Sequence, residues 1–293
     1  MKRYYDDYDY EEAYQKQLED LEEFEQRARI RRLMGIAYRT TTTTSGDLVE
    51  VDIYPAFRDR HDMPRTRRGR ESRPSQKVLN DRRARRRLMQ LVEANFGQGD
   101  LWCTWTFDED HLPKTIEEAE HLFTLFIRRV NRKRKALGLE NVKYIAVTEC
   151  GEDKNGTHRA HIHAVMSGDM DRDLLESMWT YGRRNHTRRL APDPDSGLAG
   201  MASYISKDPR GRRRWKRSRN LKEPVVTRSY TKFSRKAAES MAIDTSELER
   251  QIGKKYPGMK LLEYSVRIND INAGCYIYAR MRRVKETTKR QRE

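Results

Sequence analysis

Tyr144 to Gly168 reads YIAVTECGEDKNGTHRAHIHAVMSG. Two apolar runs, YIAVTEC and AHIHAVM, flank a polar segment that contains Asn155-Gly156. Asn-Gly is a strong turn signal because both residues tolerate positive φ. The stretch therefore predicts an antiparallel β-hairpin. Side chains alternate along a strand, so His161 and His163 project from one side of it. Two imidazoles at that spacing can share a metal ion. A carboxylate from the partner strand would complete the set, and the hairpin register decides which one. A two-residue turn at Asn155-Gly156 pairs Glu149 with Ile162 and sends its carboxylate to the wrong face. A shift of one residue pairs it with a histidine instead. We expect the shifted register with Glu149 as third ligand, and Glu152 as the alternative.

Working outward, the 293 residues suffice for one large or two small domains. The formal net charge is +16, and apolar and charged residues each make up 36%. So little apolar material predicts a core of roughly two hundred residues with solvated flanks. The positive balance favours nucleic acid over a membrane or an acidic protein as partner. Cys103, Cys150 and Cys275 form no Cys-x-x-Cys pair and fit buried positions in a reducing compartment. No apolar run reaches membrane length, and the first residues are acidic rather than signal-like. A cytoplasmic location is expected.

Met1 to Glu25 carries ten acidic residues against three basic ones, and Arg27 to Arg32 then turns basic. Residues 1–45 read as an arm, solvated or competing with nucleic acid for the basic surface. Thr40 to Thr44 reads as a low-complexity linker, and residues 46–74 as a basic linker. A main domain is expected over 75–283 and a charged tail over 284–293. Within that domain the pattern predicts a basic helix after Ser75, bearing Arg82, Arg83 and Arg86. Leu101 to Phe107 is a strand, with Trp102, Thr104 and Thr106 on one face. Thr115 to Leu137 is a helix, acidic early and basic late, as the helix dipole prefers. Helices are also expected over Asp171–Tyr181, Leu198–Lys207 and Ser234–Lys255, and strands over Lys260–Arg267 and Gly274–Arg282. Arg213, Arg214, Trp215, Lys216, Arg217 and Arg219 form a second basic cluster for DNA, in which Trp215 is a core anchor or a base-stacking platform. His158 reads as a turn residue, and His61, His111, His121 and His186 as surface residues.

A metal held by His161, His163 and a carboxylate, with a tyrosine nearby, allows phosphodiester transfer by a tyrosine nucleophile. Tyr204 and Lys207 share a helical face in YISK. Tyr204 would attack phosphorus, and Lys207 would lower its pKa or neutralise developing charge; Tyr181 and Tyr230 are the spare nucleophiles. Hard phosphate oxygens at an open site favour Mn²⁺ or Mg²⁺ over a closed zinc site.

Three pieces, LWCTWTF, AHIHAVM and YISK, together with the span from NLKEPVV to CYIYARMRR, resemble the HUH endonucleases. The resemblance covers roughly 75–283 and is to single-tyrosine rolling-circle replication initiators of phages and plasmids, similar to filamentous-phage-like replication proteins. It implies an α+β fold, with an antiparallel sheet of about five strands flanked by helices. It also implies a tyrosine that nicks single-stranded DNA at an origin hairpin, keeps the 5′ phosphate and leaves a 3′ hydroxyl as primer. Tyr204 follows the histidines, in the order of replication initiators rather than relaxases. A second protomer or a second round at Tyr204 would close the product, and a bacterial host's helicase and polymerase would be partners, since no nucleotide-binding loop is present. The competing readings are a non-enzymatic DNA- or RNA-binding protein and a transposase or relaxase with the same chemistry.

Overall fold

The computed structural model describes residues 37–56, 74–152, 158–201, 215–268 and 274–284. The elements run β1 (Ala37–Ser45), β2 (Leu48–Ala56), α1 (Pro74–Asn95), β3 (Leu101–Thr106), α2 (Ile116–Ala136), β4 (Tyr144–Glu152), β5 (His158–Met166), α3 (Arg172–Ser177), β6 (His186–Arg189), β7 (Lys216–Arg217), β8 (Val225–Ser229), α4 (Arg235–Ile243), α5 (Thr245–Lys255), β9 (Met259–Ile268) and β10 (Cys275–Arg283). They form two antiparallel five-stranded sheets, ordered β8-β1-β2-β10-β9 and β6-β3-β5-β4-β7. The expected α+β class holds, with two sheets in place of one.

The chain divides into two compact units, and the second is inserted in the first. Residues 73–224 and the turn at 45–47 build the inserted unit, while the rest of β1, β2 and everything from β8 onward build the other. Residues 75–283, read from the sequence as one domain, therefore split near 224. The linker expected at Thr40–Thr44 is corrected to the middle of β1. Threonine is β-branched and suits a pleated, half-buried surface, and Thr40 and Thr43 are buried. The supposed linker after residue 46 begins with β2, where buried Val49, Val51 and Ile53 alternate with Glu50, Asp52 and Tyr54. Gly46, at φ 61°, makes the tight turn between these strands. The helix expected over Ser234–Lys255 is two helices. Asp244 ends α4, and its carboxylate accepts from the Ser246 N–H at 2.8 Å to start α5. Both pack Ala238, Met241, Leu248 and Ile252 against Val51, Ile53, Ile277 and Ala279 of their sheet.

In the inserted unit, α2 covers one face of the sheet. Thr115 caps it, accepting from Glu118 N–H at 3.1 Å, and Glu118 reaches back to the Lys114 N–H at 2.8 Å. Its buried Phe123, Phe126, Ile127 and Val130 meet Cys103, Trp105, Ile162 and Ala164. Near the end of α2, fully buried Arg134 makes a two-pronged pair with Asp169, both contacts 2.8 Å, and donates to the Glu140 carbonyl at 2.5 Å. The helix expected over Asp171–Tyr181 is shorter, because Trp179 and Tyr181 leave it to join the aromatic core around Trp105 and Phe107. With α2 on one face, the residues one step along each strand point to the other. Among the described residues, no helix is long and apolar enough to cross a membrane.

Candidate metal centre on the inserted sheet

The hairpin forms, with the shifted register. β4 and β5 pair Glu149 with His161 and Val147 with His163, and the ladder runs to Glu152 and His158. The five residues between these last partners are an odd number, which carries Glu149 to the histidines' face. The loop itself lies outside the described residues. Glu152, the alternative ligand, ends the ladder opposite His158.

Both histidine Nε2 atoms approach the same carboxylate oxygen. His161 Nε2 is 3.2 Å from Glu149 Oε2, and His163 Nε2 is 3.5 Å from it. The imidazoles meet edge to face, with centroids 4.9 Å apart. One candidate ligand atom from each of the three residues lies within 4.8 Å of the other two, so the group can hold a metal ion. Hydrogen bonding to His161, then to His163, holds the Glu149 carboxyl down at about 2. A carboxylate ionised across the whole neutral range is what a cation requires. His163 is nearly enclosed, while His161 and Glu149 keep about a third and a quarter of their side-chain surface exposed. The donor set thus closes one side of a coordination sphere and leaves the other open, which suits a cation that must also accept substrate oxygens.

β3 supports this set. It pairs with β5 so that Thr104 lies beside His163 and Thr106 beside His161. Thr104 Oγ1 is 3.1 Å from His163 Nδ1, which turns the opposite ring nitrogen toward Glu149. Trp102 stacks on the His163 ring at 5.4 Å between centroids and 15° between planes. Sequence alternation already groups Trp102, Thr104 and Thr106 on one face; their pairing with the histidines is not legible without the register.

The segment after α3 clamps the end of β3. Trp179 Nε1 donates to the Thr106 carbonyl at 2.8 Å, Asn185 Oδ1 accepts from the Thr106 N–H at 3.3 Å, and Thr106 Oγ1 donates to the Arg184 carbonyl at 2.9 Å. Gly182 passes so close that a Cβ there would overlap the Thr106 carbonyl oxygen. His186, expected as an ordinary surface residue, pairs with Thr104 from β6 and so shares the cluster's face while remaining exposed.

Of the other sequence candidates, Tyr204, Lys207, Arg213 and Arg214 lie outside the described residues. Arg82 and Arg83 are exposed on α1, and Arg86 is half-buried there. Trp215 is half-buried and Arg219 exposed. Lys216 turns to α2, donating to Thr124 Oγ1 at 2.6 Å and the Glu120 carbonyl at 3.0 Å. Arg217 donates to Glu223 at 2.7 Å, and Arg87 of α1 binds the same carboxylate. Tyr181, a spare nucleophile, is tied by its hydroxyl to Arg129 at 2.9 Å within the aromatic core.

No curated protein and no solved structure matches the chain. Residues 100–209, which contain β3, the hairpin and all three candidate ligands, match a family model described as replication-associated protein, of the ORF2 type. That match makes this segment similar to replication-associated proteins.

Proposed function

We propose that the chain nicks and rejoins single-stranded DNA at a replication origin through a covalent 5′-phosphotyrosine, and so initiates rolling-circle replication. The observation that carries this reading is the convergence of His161, His163 and Glu149 on one open sheet face. The family match over the same residues supports it. Glu149, His161 and His163 would hold Mn²⁺ or Mg²⁺, which when bound polarises a non-bridging phosphate oxygen. Thr104 and Trp102 keep the His163 ring from turning away.

Tyr204 is the proposed nucleophile and Lys207 its helper. The Tyr204 oxygen forms a bond to phosphorus while the bond from phosphorus to the 3′ oxygen breaks. The phenolic proton is lost to solvent, and the departing 3′ oxygen takes one up. A free phenol has a pKa of about 10, so the Lys207 ammonium is needed to favour the phenolate and to offset charge at phosphorus. The phosphotyrosine conserves the energy of the broken bond. Rejoining therefore requires only a returning 3′ hydroxyl, at a second protomer or in a second round.

The test is cleavage of a pool of single-stranded oligonucleotides with Mn²⁺ or Mg²⁺. Wild-type chain should nick a subset of sequences and stop doing so with a chelator, and His161→Ala should lose cleavage by at least a hundredfold. Tight, salt-sensitive binding with no cleavage under either metal contradicts the reading and leaves a DNA-binding protein.

A further inference from the structure

The sheet of the outer unit presents a cross-strand row that no part of the metal chemistry uses. Its core face carries Tyr38, Ile53, Ile277 and Val266, packed with α4 and α5. One residue along on each strand lie Arg39, Tyr54, Tyr276 and Arg267, on the face away from those helices. Tyr276 pairs directly with Arg267. Tyr54 and Tyr276 are one step beyond the Ile53–Ile277 pair. The Arg39 guanidinium lies over the Tyr54 ring at 5.2 Å and the Tyr230 ring at 5.8 Å, and donates to both hydroxyls, at 2.9 Å and 3.3 Å. The row therefore reads Tyr230, the residue after β8, then Arg39, Tyr54, Tyr276 and Arg267 on β1, β2, β10 and β9. At roughly 4.8 Å per strand it extends about 19 Å.

We propose that this row binds single-stranded DNA, with bases stacking on the tyrosine rings and phosphates meeting the two guanidinium groups. Three features favour that occupant. The row combines three flat aromatic rings with two planar cations, the pairing that holds unpaired bases and their backbone without reading sequence. None of its five members is a carboxylate, and its two arginines supply positive charge for a phosphate backbone. Its two ends are open to solvent, Tyr230 being 49% exposed and Arg267 exposed as well, while Arg39, Tyr54 and Tyr276 between them are half-buried. A duplex would not suit the row, because its bases are stacked on one another and offer no free face. The assignment does not rest on the nuclease reading.

The test is fluorescence anisotropy of the full chain with a labelled deoxythymidine homopolymer in EDTA, where no metal-dependent step contributes. Tyr54→Ala and Tyr276→Ala should each weaken binding about tenfold, and Tyr54→Phe should keep most of it. Arg39→Gln and Arg267→Gln should each reduce the salt slope by about 0.7. Tyr230→Ala, at an exposed position, keeps the test valid if the half-buried tyrosines prove necessary for folding. Lys236→Gln, an exposed charge on α4, should leave the affinity of the homopolymer near wild type. Row variants that bind like wild type, or that lose duplex DNA rather than the homopolymer, overturn the proposal. Cleavage is measured separately with metal, so failure of the nuclease reading shows as intact oligonucleotide and leaves this result unaffected.

Discussion

Thr104 and His163 face each other across β3 and β5, with Oγ1 3.1 Å from Nδ1. That contact fixes which nitrogen of His163 faces Glu149. Thr104→Val keeps the shape and the β preference but removes the oxygen. We predict that it weakens Mn²⁺ binding by about tenfold to a hundredfold, with little change in unfolding. Titration calorimetry of the variant checks this; unchanged affinity would show that ring stacking on Trp102 alone holds His163.

Gly182→Ala should act on the site from outside it. The added methyl group must displace the Thr106 carbonyl, which Trp179 also holds, and Thr106 is the neighbour of His161. We predict a loss of about 1–3 kcal/mol of stability, as for overpacking, together with reduced metal affinity. Urea unfolding and a Mn²⁺ titration on the same preparation measure both. A variant with wild-type values in both would mean that the segment after α3 shifts freely.

The Arg134–Asp169 pair predicts an acid-side dependence of stability. The hydrogen bonds from Arg134 hold the Asp169 carboxyl below its ordinary value, 3.8, against the opposing effect of burial. The depressed value means that the pair stabilises the folded chain at all pH above that ordinary value. The contribution is then lost as pH falls through the lowered folded value. Asp169→Ala should cost about 2 kcal/mol at neutral pH, since Asp169 is half exposed although Arg134 is buried. The difference from wild type should shrink below the ordinary value of 3.8. All four tryptophans lie between residues 102 and 215, so their fluorescence follows the inserted unit. A constant difference across that window would contradict the assignment.

Lys216 and Arg219 should separate, although both belong to the basic cluster read from the sequence. Lys216 is bonded to α2, whereas Arg219 is exposed. We predict that Lys216→Met lowers stability and leaves the salt slope of DNA binding unchanged. Arg219→Gln should reduce that slope by about 0.7–0.9 and leave stability unchanged. Equal effects on the slope would return Lys216 to the DNA.

What was legible in the sequence was local. His161 and His163 share a face because a strand alternates, and Asn155-Gly156 marks the turn between the strands. The choice of Glu149 depended on parity of the loop, which chain pattern alone leaves open between two registers. Thr104 beside His163 is a contact between residues 59 apart. It follows from strand order, which the sequence does not display. The other unit was misread at its start because five threonines resemble low-complexity sequence. In the fold they form a strand, on which the Thr42 hydroxyl lies 2.7 Å from the Tyr256 hydroxyl. The insertion was hidden for a related reason. β2 and β8 belong to one sheet but are separated in the chain by the whole inserted unit.

The most direct test of the account is mass spectrometry of the chain after reaction with a cleavable single-stranded oligonucleotide and Mn²⁺, followed by proteolysis. The account predicts a nucleotide attached through its 5′ phosphate to the peptide containing Tyr204, absent in Tyr204→Phe and in His161→Ala. Cleaved DNA with no protein attached, or an adduct on any other residue, would contradict it.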